Sequence, residues 1–308
     1  MNKKYLIAIM GLVLFIVGCA GDTTEQAVAG ESPYIGGNKG MIAEFEEMGI
    51  FNEETNMEEI FEDETFPIEV ALRNKGEEPI AASGATVTLM GINLADFTGI
   101  PAGELLNTAE IEGISEFNEE GGEATLDFTG GANDAQYTIP LTGMSYDVSV
   151  FANVIYDYKT HAAVPKVCFK GNLNNPAVCK VDEVKDVYSS AAPIQVNSVE
   201  EKRAGTGKVS VEFRIENVGT GKVTKPGADF DSRYDQLSYT VSDASNWECK
   251  SGGRVNEARL SNDGKATVLC KWIGTTLTDN DLYTKQLDLT LNYKYKDIIH
   301  KQIRINKQ

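Results

Sequence analysis

Histidine is nearly absent: His161 and His300 are the only two in 308 residues. Imidazole is the commonest metal ligand and general base, so metal centres and acid–base catalysis both lose their usual group. No Cys-x-x-Cys spacing occurs, which removes the ordinary zinc knuckle. No Gly-x-Ser-x-Gly elbow and no nucleophile with a readable base partner stand out, and the chain reads as non-catalytic, with no cofactor. No apolar run reaches the roughly 20 residues that a helix needs to cross a bilayer, and no long stretch carries the 3.6-residue period of an amphipathic helix. Cations are short as well, 28 Lys and Arg against 46 Asp and Glu, for a net charge of −18. That balance repels nucleic acid and anionic headgroups and argues against either as a ligand.

What is present begins with Lys3 and Lys4, followed by the apolar run Tyr5 to Val17 and then Gly18-Cys19. The run is too short to span, and charge, apolar stretch and small residues in that order are those of a targeting segment. Ile16-Val17-Gly18-Cys19 resembles the lipobox of prokaryotic lipoproteins. The resemblance implies cleavage after residue 18, a covalent diacylglycerol-type lipid on Cys19, and contact with the membrane by that anchor only, a two-chain lipid being enough for stable attachment. Residues 19–39 are poor in large apolar side chains and read as a flexible tether. The location expected is the outer face of the cytoplasmic membrane or the cell envelope.

Without Cys19 four cysteines remain, Cys168, Cys179, Cys249 and Cys270. An even remainder is what an oxidising compartment predicts. Of the three connectivities, Cys168 with Cys179 and Cys249 with Cys270 keeps each bridge within one proposed domain, and each would contribute about 3 kcal/mol in the loop-entropy description.

About 290 residues follow the leader, more than one core usually serves, and an internal repeat divides them. Ile68-Glu69-Val70-Ala71-Leu72-Arg73-Asn74-Lys75-Gly76 aligns with Val211-Glu212-Phe213-Arg214-Ile215-Glu216-Asn217-Val218-Gly219 at an offset of 143. Gly122-Glu123-Ala124-Thr125-Leu126 aligns with Gly264-Lys265-Ala266-Thr267-Val268 at 142, and Tyr156-Asp157-Tyr158-Lys159 with Tyr293-Lys294-Tyr295-Lys296 at 137. Three matches in one order mark a duplication. Their period is two, as in Leu287, Leu289, Leu291, Tyr293 and Tyr295, which predicts half-buried strands. Further strands are expected over 41–45, 85–92, 136–141, 146–158, 193–199, 237–241 and 298–305.

Strands with one apolar face need a second sheet to cover it. The fold class is therefore all-β, with two tandem β-sandwiches: a first domain over 40–186, a linker over 187–192 and a second domain over 193–308. The strand that stops at Asn-x-Gly, at Asn74-Lys75-Gly76 and again at Asn217-Val218-Gly219, resembles the immunoglobulin-like, CARDB-type adhesion modules of archaeal and bacterial surface proteins. That resemblance implies the fold and a surface role. Asn and Gly tolerate positive φ, so the pair marks a tight bend.

Charge is unevenly shared. Residues 193–308 hold 18 Lys and Arg against 15 Asp and Glu, or +3, and the remainder after the leader holds 8 against 31. Acid is densest over 44–64, with ten Asp or Glu and no Lys or Arg. The stretch reads as a solvated loop or short amphipathic turn of helix over one end of the sandwich; the sharper alternative is a divalent-cation site or an acidic docking surface for a basic partner. Asp229, Asp231 and Asp235 are the candidate cation ligands, for Ca2+ if any, although no EF-hand spacing is present. Asp279-Asn280-Asp281 is expected to form a turn, as are the glycines of Gly205-Thr206-Gly207-Lys208 and Gly219-Thr220-Gly221-Lys222, which imitate the tail of a phosphate-binding loop but lack Ser or Thr after the Lys. The paired tyrosines 156/158 and 293/295 read as core in preference to a ligand-stacking stripe.

The function expected is an adhesive or structural surface lipoprotein binding an envelope protein or glycan. The alternative is a lipid-anchored accessory subunit that captures a solute or metal ion for an envelope complex.

Overall fold

Alternation governs burial through the middle of Leu282–Asn306: Leu287, Leu289, Leu291, Tyr293 and Tyr295 are buried, and the residues between them are partly exposed. The computed structural model describes residues 32–130 and 134–308. The leader 1–18, Cys19 and the tether up to residue 31 lie outside the described residues. Among the described residues every regular element is a strand except one 3-10 turn at Leu94–Asp96, and the protein is all-β, with sheets arranged as in a β-sandwich.

Met41–Phe45, Glu69–Asn74 and Glu123–Asp127 form a small antiparallel sheet with Glu69–Asn74 at its centre. Ile194–Arg203, Val209–Asn217 and Lys265–Trp272 repeat that order in the second copy, widened by Glu183–Lys185 and Trp247–Lys250 at the edges. A larger sheet belongs to both copies. Its order is Glu257–Leu260, Asp235–Val241, Leu282–Asn306, Ser145–Lys170, Ala85–Met90, Glu104–Leu106, so each copy contributes a long strand, a medium one and a short one from the centre outward. The inner faces bury one contiguous apolar core.

The two long strands pair antiparallel from Ser145 opposite Asn306 to Lys170 opposite Leu282. In the repeat Tyr156 corresponds to Tyr293 and Tyr158 to Tyr295, yet in the ladder Tyr156 faces Tyr295 and Tyr158 faces Tyr293. The copies are thus related by a pseudo-twofold axis through the Asp157–Lys294 pair. Each long strand begins in its own copy and ends in the other. Phe169, near the end of the first, packs on Trp247 and Trp272 with ring centroids 6.0 and 4.9 Å away. Ile303 and Ile305, near the end of the second, are fully buried beside Met57–Phe61 of the first copy.

Ser32–Gln308 forms one compact unit, and the stretch 187–192 is part of it: Tyr188–Ser189 pairs with Ala163 and Ala162, and Ala191 and Ala192 are buried. Residues 32–39, the end of the segment read as a tether, are seated on the same body. The Glu77 carboxylate accepts the amides of Ile35, Gly36 and Ala191 at 3.0, 3.1 and 2.5 Å.

Local differences from expectation have local causes. The acidic stretch is neither loop nor helix but a β-hairpin, Ile50–Asn52 with Met57–Phe61, whose second strand runs parallel to Ile303–Asn306. The expected strand 136–141 is cut to Ala135–Tyr137, ahead of Pro140, which has no N–H to donate. The strand expected to end at 158 continues to Lys170, because the bulge between Val164 and Val167 takes up Pro165.

Candidate functional site

The Asn-x-Gly turns hold tyrosines. Tyr158 Oη donates to Asn74 Oδ1 at 3.1 Å, and Tyr295 Oη to Asn217 Oδ1 at 3.4 Å. In each turn the same oxygen accepts the glycine amide at 3.2 Å, and the Asn Nδ2 donates to a carbonyl four residues on, Glu78 at 2.8 Å and Gly221 at 2.9 Å. Gly76 and Gly219 are required because a Cβ at either would collide with the hydroxyl of Tyr158 or Tyr295. All four tyrosines of the repeat are buried, and desolvation pushes their hydroxyls up, that of Tyr295 to about 12. The stripe is core, and it offers no stacking surface to a ligand.

Both expected bridges are formed, Cys168–Cys179 and Cys249–Cys270. They place the protein in an oxidising, extracytoplasmic environment, and among the described residues no helix is long and apolar enough to cross a membrane. The Gly205 and Gly219 stretches are turns at strand ends, Gly205 and Gly207 at φ of 122° and 62°. Asp281 also serves a turn, its Oδ2 accepting the amide and hydroxyl of Thr278 at 2.6 and 2.8 Å.

Asp231 and Asp235 line one polar cavity of about 380 Å³ among the loops at one end of the second copy. Asp231 is bound bidentately by Arg233, Nε at 2.9 Å and Nη2 at 2.7 Å, and these hydrogen bonds hold its carboxyl far below the usual range. Asp235 accepts the Val223 amide at 3.2 Å, with Lys222 Nζ at 3.6 Å. Asp229 contributes its carbonyl to the Thr224 hydroxyl at 3.0 Å. A cation entering this cavity has to compete with Arg233 and Lys222 for the same oxygens.

Another recess lies between the N-terminal segment and the first copy. Ser32–Ile35 form one wall, Ile114–Phe117 the other, and Glu77, His161 and Ser190 lie between, around a space of about 510 Å³. Phe117 is 97% exposed. It sits on a tight turn closed by reciprocal amide bonds between Ser115 and Asn118 at 2.9 and 3.1 Å, so its ring is presented rather than collapsed. The Tyr34 ring stacks on His161 with centroids 6.4 Å apart, and His161 Nε2 lies 3.2 Å from Glu78, which also takes Lys159 Nζ at 2.6 Å. Burial raises the Glu78 carboxyl, but the hydrogen bonds from His161 and Lys159 outweigh it and leave the group lowered. The two histidines therefore differ in surroundings, since His300 stacks on Phe151 at 5.8 Å. Sequence reasoning missed this groove: Phe117 breaks no periodicity, and its walls come from segments far apart in the chain. Comparison of the chain with protein-family models, curated proteins and solved structures finds no match.

Proposed function

We propose that this protein is a non-catalytic surface lipoprotein with an adhesive or structural role, exported by the leader 1–18, tethered by a diacylglycerol-type lipid on Cys19, and built from immunoglobulin-like, CARDB-type modules. Its ligand is an envelope protein or glycan held in the groove between Ser32–Ile35 and Ile114–Phe117. The observation that carries this reading is a phenylalanine in nearly full solvent exposure on a closed turn; a turn whose backbone is already fixed loses little of its own entropy on contact. The open groove, with Tyr34 on the facing wall, has the size of a recognition site, roughly 300–1,000 Å³.

The test is binding of the chain from Ala20 to Gln308 to purified envelope polysaccharide and to isolated envelope proteins, with Phe117→Ala and Tyr34→Ala in parallel. Binding lost in both variants at unchanged melting temperature supports the reading; binding retained in both removes the groove. Cys19→Ala is expected to release the protein or leave its precursor uncleaved, and lipid labelling that persists in this variant refutes the anchor. The accessory-subunit reading rests on the polar cavity beside Asp231 and Asp235, and a rise of several degrees in melting temperature with millimolar calcium is its signature.

A further inference from the structure

Beyond the groove, the strand Ile50–Asn52 is an open sheet edge with large exposed apolar side chains. Ile50–Asn52 has a single neighbour, Met57–Phe61, which in turn lies beside the end of the second long strand. Ile50 is 81% exposed and Phe51 57%. Phe61 is opposite Asn306, which is opposite Ser145, so the exposed side chains of Phe61, Met144 and Tyr146 gather at the same end of the sheet. An open edge bearing large apolar groups is a template for another strand, and proteins ordinarily blunt it with charge, above all Lys, or Pro.

The charge on this edge has one sign. Glu53, Glu54 and Asp63 are exposed and carry no ion pair among the described residues, whereas Glu58 is neutralised by Lys301 and Glu44 and Glu46 by Arg73. Two other edges of the molecule cancel their own charge, Glu248 against Lys250 at 2.6 Å and Glu257 against Arg259 at 3.2 Å. A uniformly acidic edge repels its own copy and an anionic membrane while attracting a strand of opposite charge. We infer that the Ile50–Phe61 hairpin is a docking edge for a cationic, alternating apolar strand of another protein, which adds to Ile50–Asn52 by backbone pairing. Its apolar side chains cover Ile50 and Phe61, and its Lys or Arg meet Glu53, Glu54 and Asp63. This surface is separate from the groove and does not depend on it.

The probe is a fluorescent peptide of alternating Lys and Leu, added to the chain from Ala20 to Gln308 and followed by anisotropy. Alternating Lys–Ser and Glu–Leu peptides of equal length are the controls. The Lys–Leu peptide is expected to bind about tenfold or more tightly than the Lys–Ser peptide and to weaken with added salt. Ile50→Ser with Phe51→Ser, and separately Glu53→Lys with Glu54→Lys, should each cost roughly tenfold in affinity, with Phe117→Ala unchanged. Equal binding of the Lys–Leu and Lys–Ser peptides overturns the proposal, because it shows charge without an edge. So does affinity that survives both hairpin variants, or a dimer of the protein that Ile50→Ser dissociates in sedimentation, since the edge is then occupied by a second copy.

Discussion

The two ends of the shared sheet receive each other's strands, and they fasten the incoming strand differently. At the second copy's end the arriving segment is pinned by a buried group: Cys168, bridged to Cys179 in the chain just beyond it, donates its amide to the buried carboxylate of Glu201 at 3.2 and 2.9 Å, itself 3.0 Å from Lys185. The second bridge and both tryptophans lie in the neighbouring sheet. At the first copy's end no bridge forms among the described residues. There the arriving strand brings Lys301 to the buried Glu58, and Arg304 reaches Asp147 at 2.7 Å, while the acidic hairpin covers its edge. One end is secured by a buried carboxylate and aromatic packing on a disulfide-braced sheet, the other by ion pairs and a hairpin. Buried carboxylates recur at both ends because each has a cation or an amide to meet, without which its burial costs several kcal/mol.

The severest way to break this comparison is to remove residues 298–308. Two fully buried isoleucines and Lys301 go with them, and at about 2–5 kcal/mol for each isoleucine the loss approaches the roughly 5–15 kcal/mol that holds a domain together. Near-ultraviolet circular dichroism should show the cooperative transition lost; a melting temperature within a few degrees of the parent means that the exchanged strand is dispensable. Next in size, Phe169→Ala should destabilise by about 3–5 kcal/mol and shift tryptophan emission, since both indoles touch that ring. Unchanged emission contradicts the packing across copies.

Glu201 sharpens the contrast through pH. Burial raises its carboxyl from the ordinary 4.5 to about 7, so between those values the folded protein keeps a proton that the unfolded chain releases. The stabilisation is full below about pH 4.5, falls as pH rises through 7 and then levels off, a change on the order of 3 kcal/mol. Denaturant titrations at pH 5 and 8 should show this difference shrinking in Glu201→Gln; an unaltered difference assigns the pH dependence elsewhere. The smallest effect distinguishes the two turns. Asn74 is fully buried and Asn217 partly exposed, so Asn74→Ala should cost about 2–3 kcal/mol and Asn217→Ala about 1, and equal losses from chemical denaturation would make the turns equivalent.

Much of the fold was legible because alternation is a local signal. Leu287 to Tyr295 declares its buried face without reference to anything else, and the Asn-x-Gly pair, repeated with its tyrosine, identifies equivalent strands. The cysteine pairing followed from keeping each bridge within one copy. Exchange of the long strands was not legible, since a repeat shows which strands correspond and not which ones pair; Tyr158 opposite Tyr293 is a relation between distant segments. The hairpin 50–61 was missed for the same reason, its parallel partner lying at the other end of the chain. Asp229, Asp231 and Asp235 were named as candidate cation ligands on spacing alone, which does not report that Arg233 binds the Asp231 carboxylate.

The pseudo-twofold ladder has a consequence for how far the protein can be diluted. Two separate chains meeting through those same long strands would part on dilution, their association governed by their concentration. Carried on one polypeptide, the encounter is intramolecular, at an effective concentration fixed by the connecting chain. A solitary molecule is therefore as complete as one in a crowd.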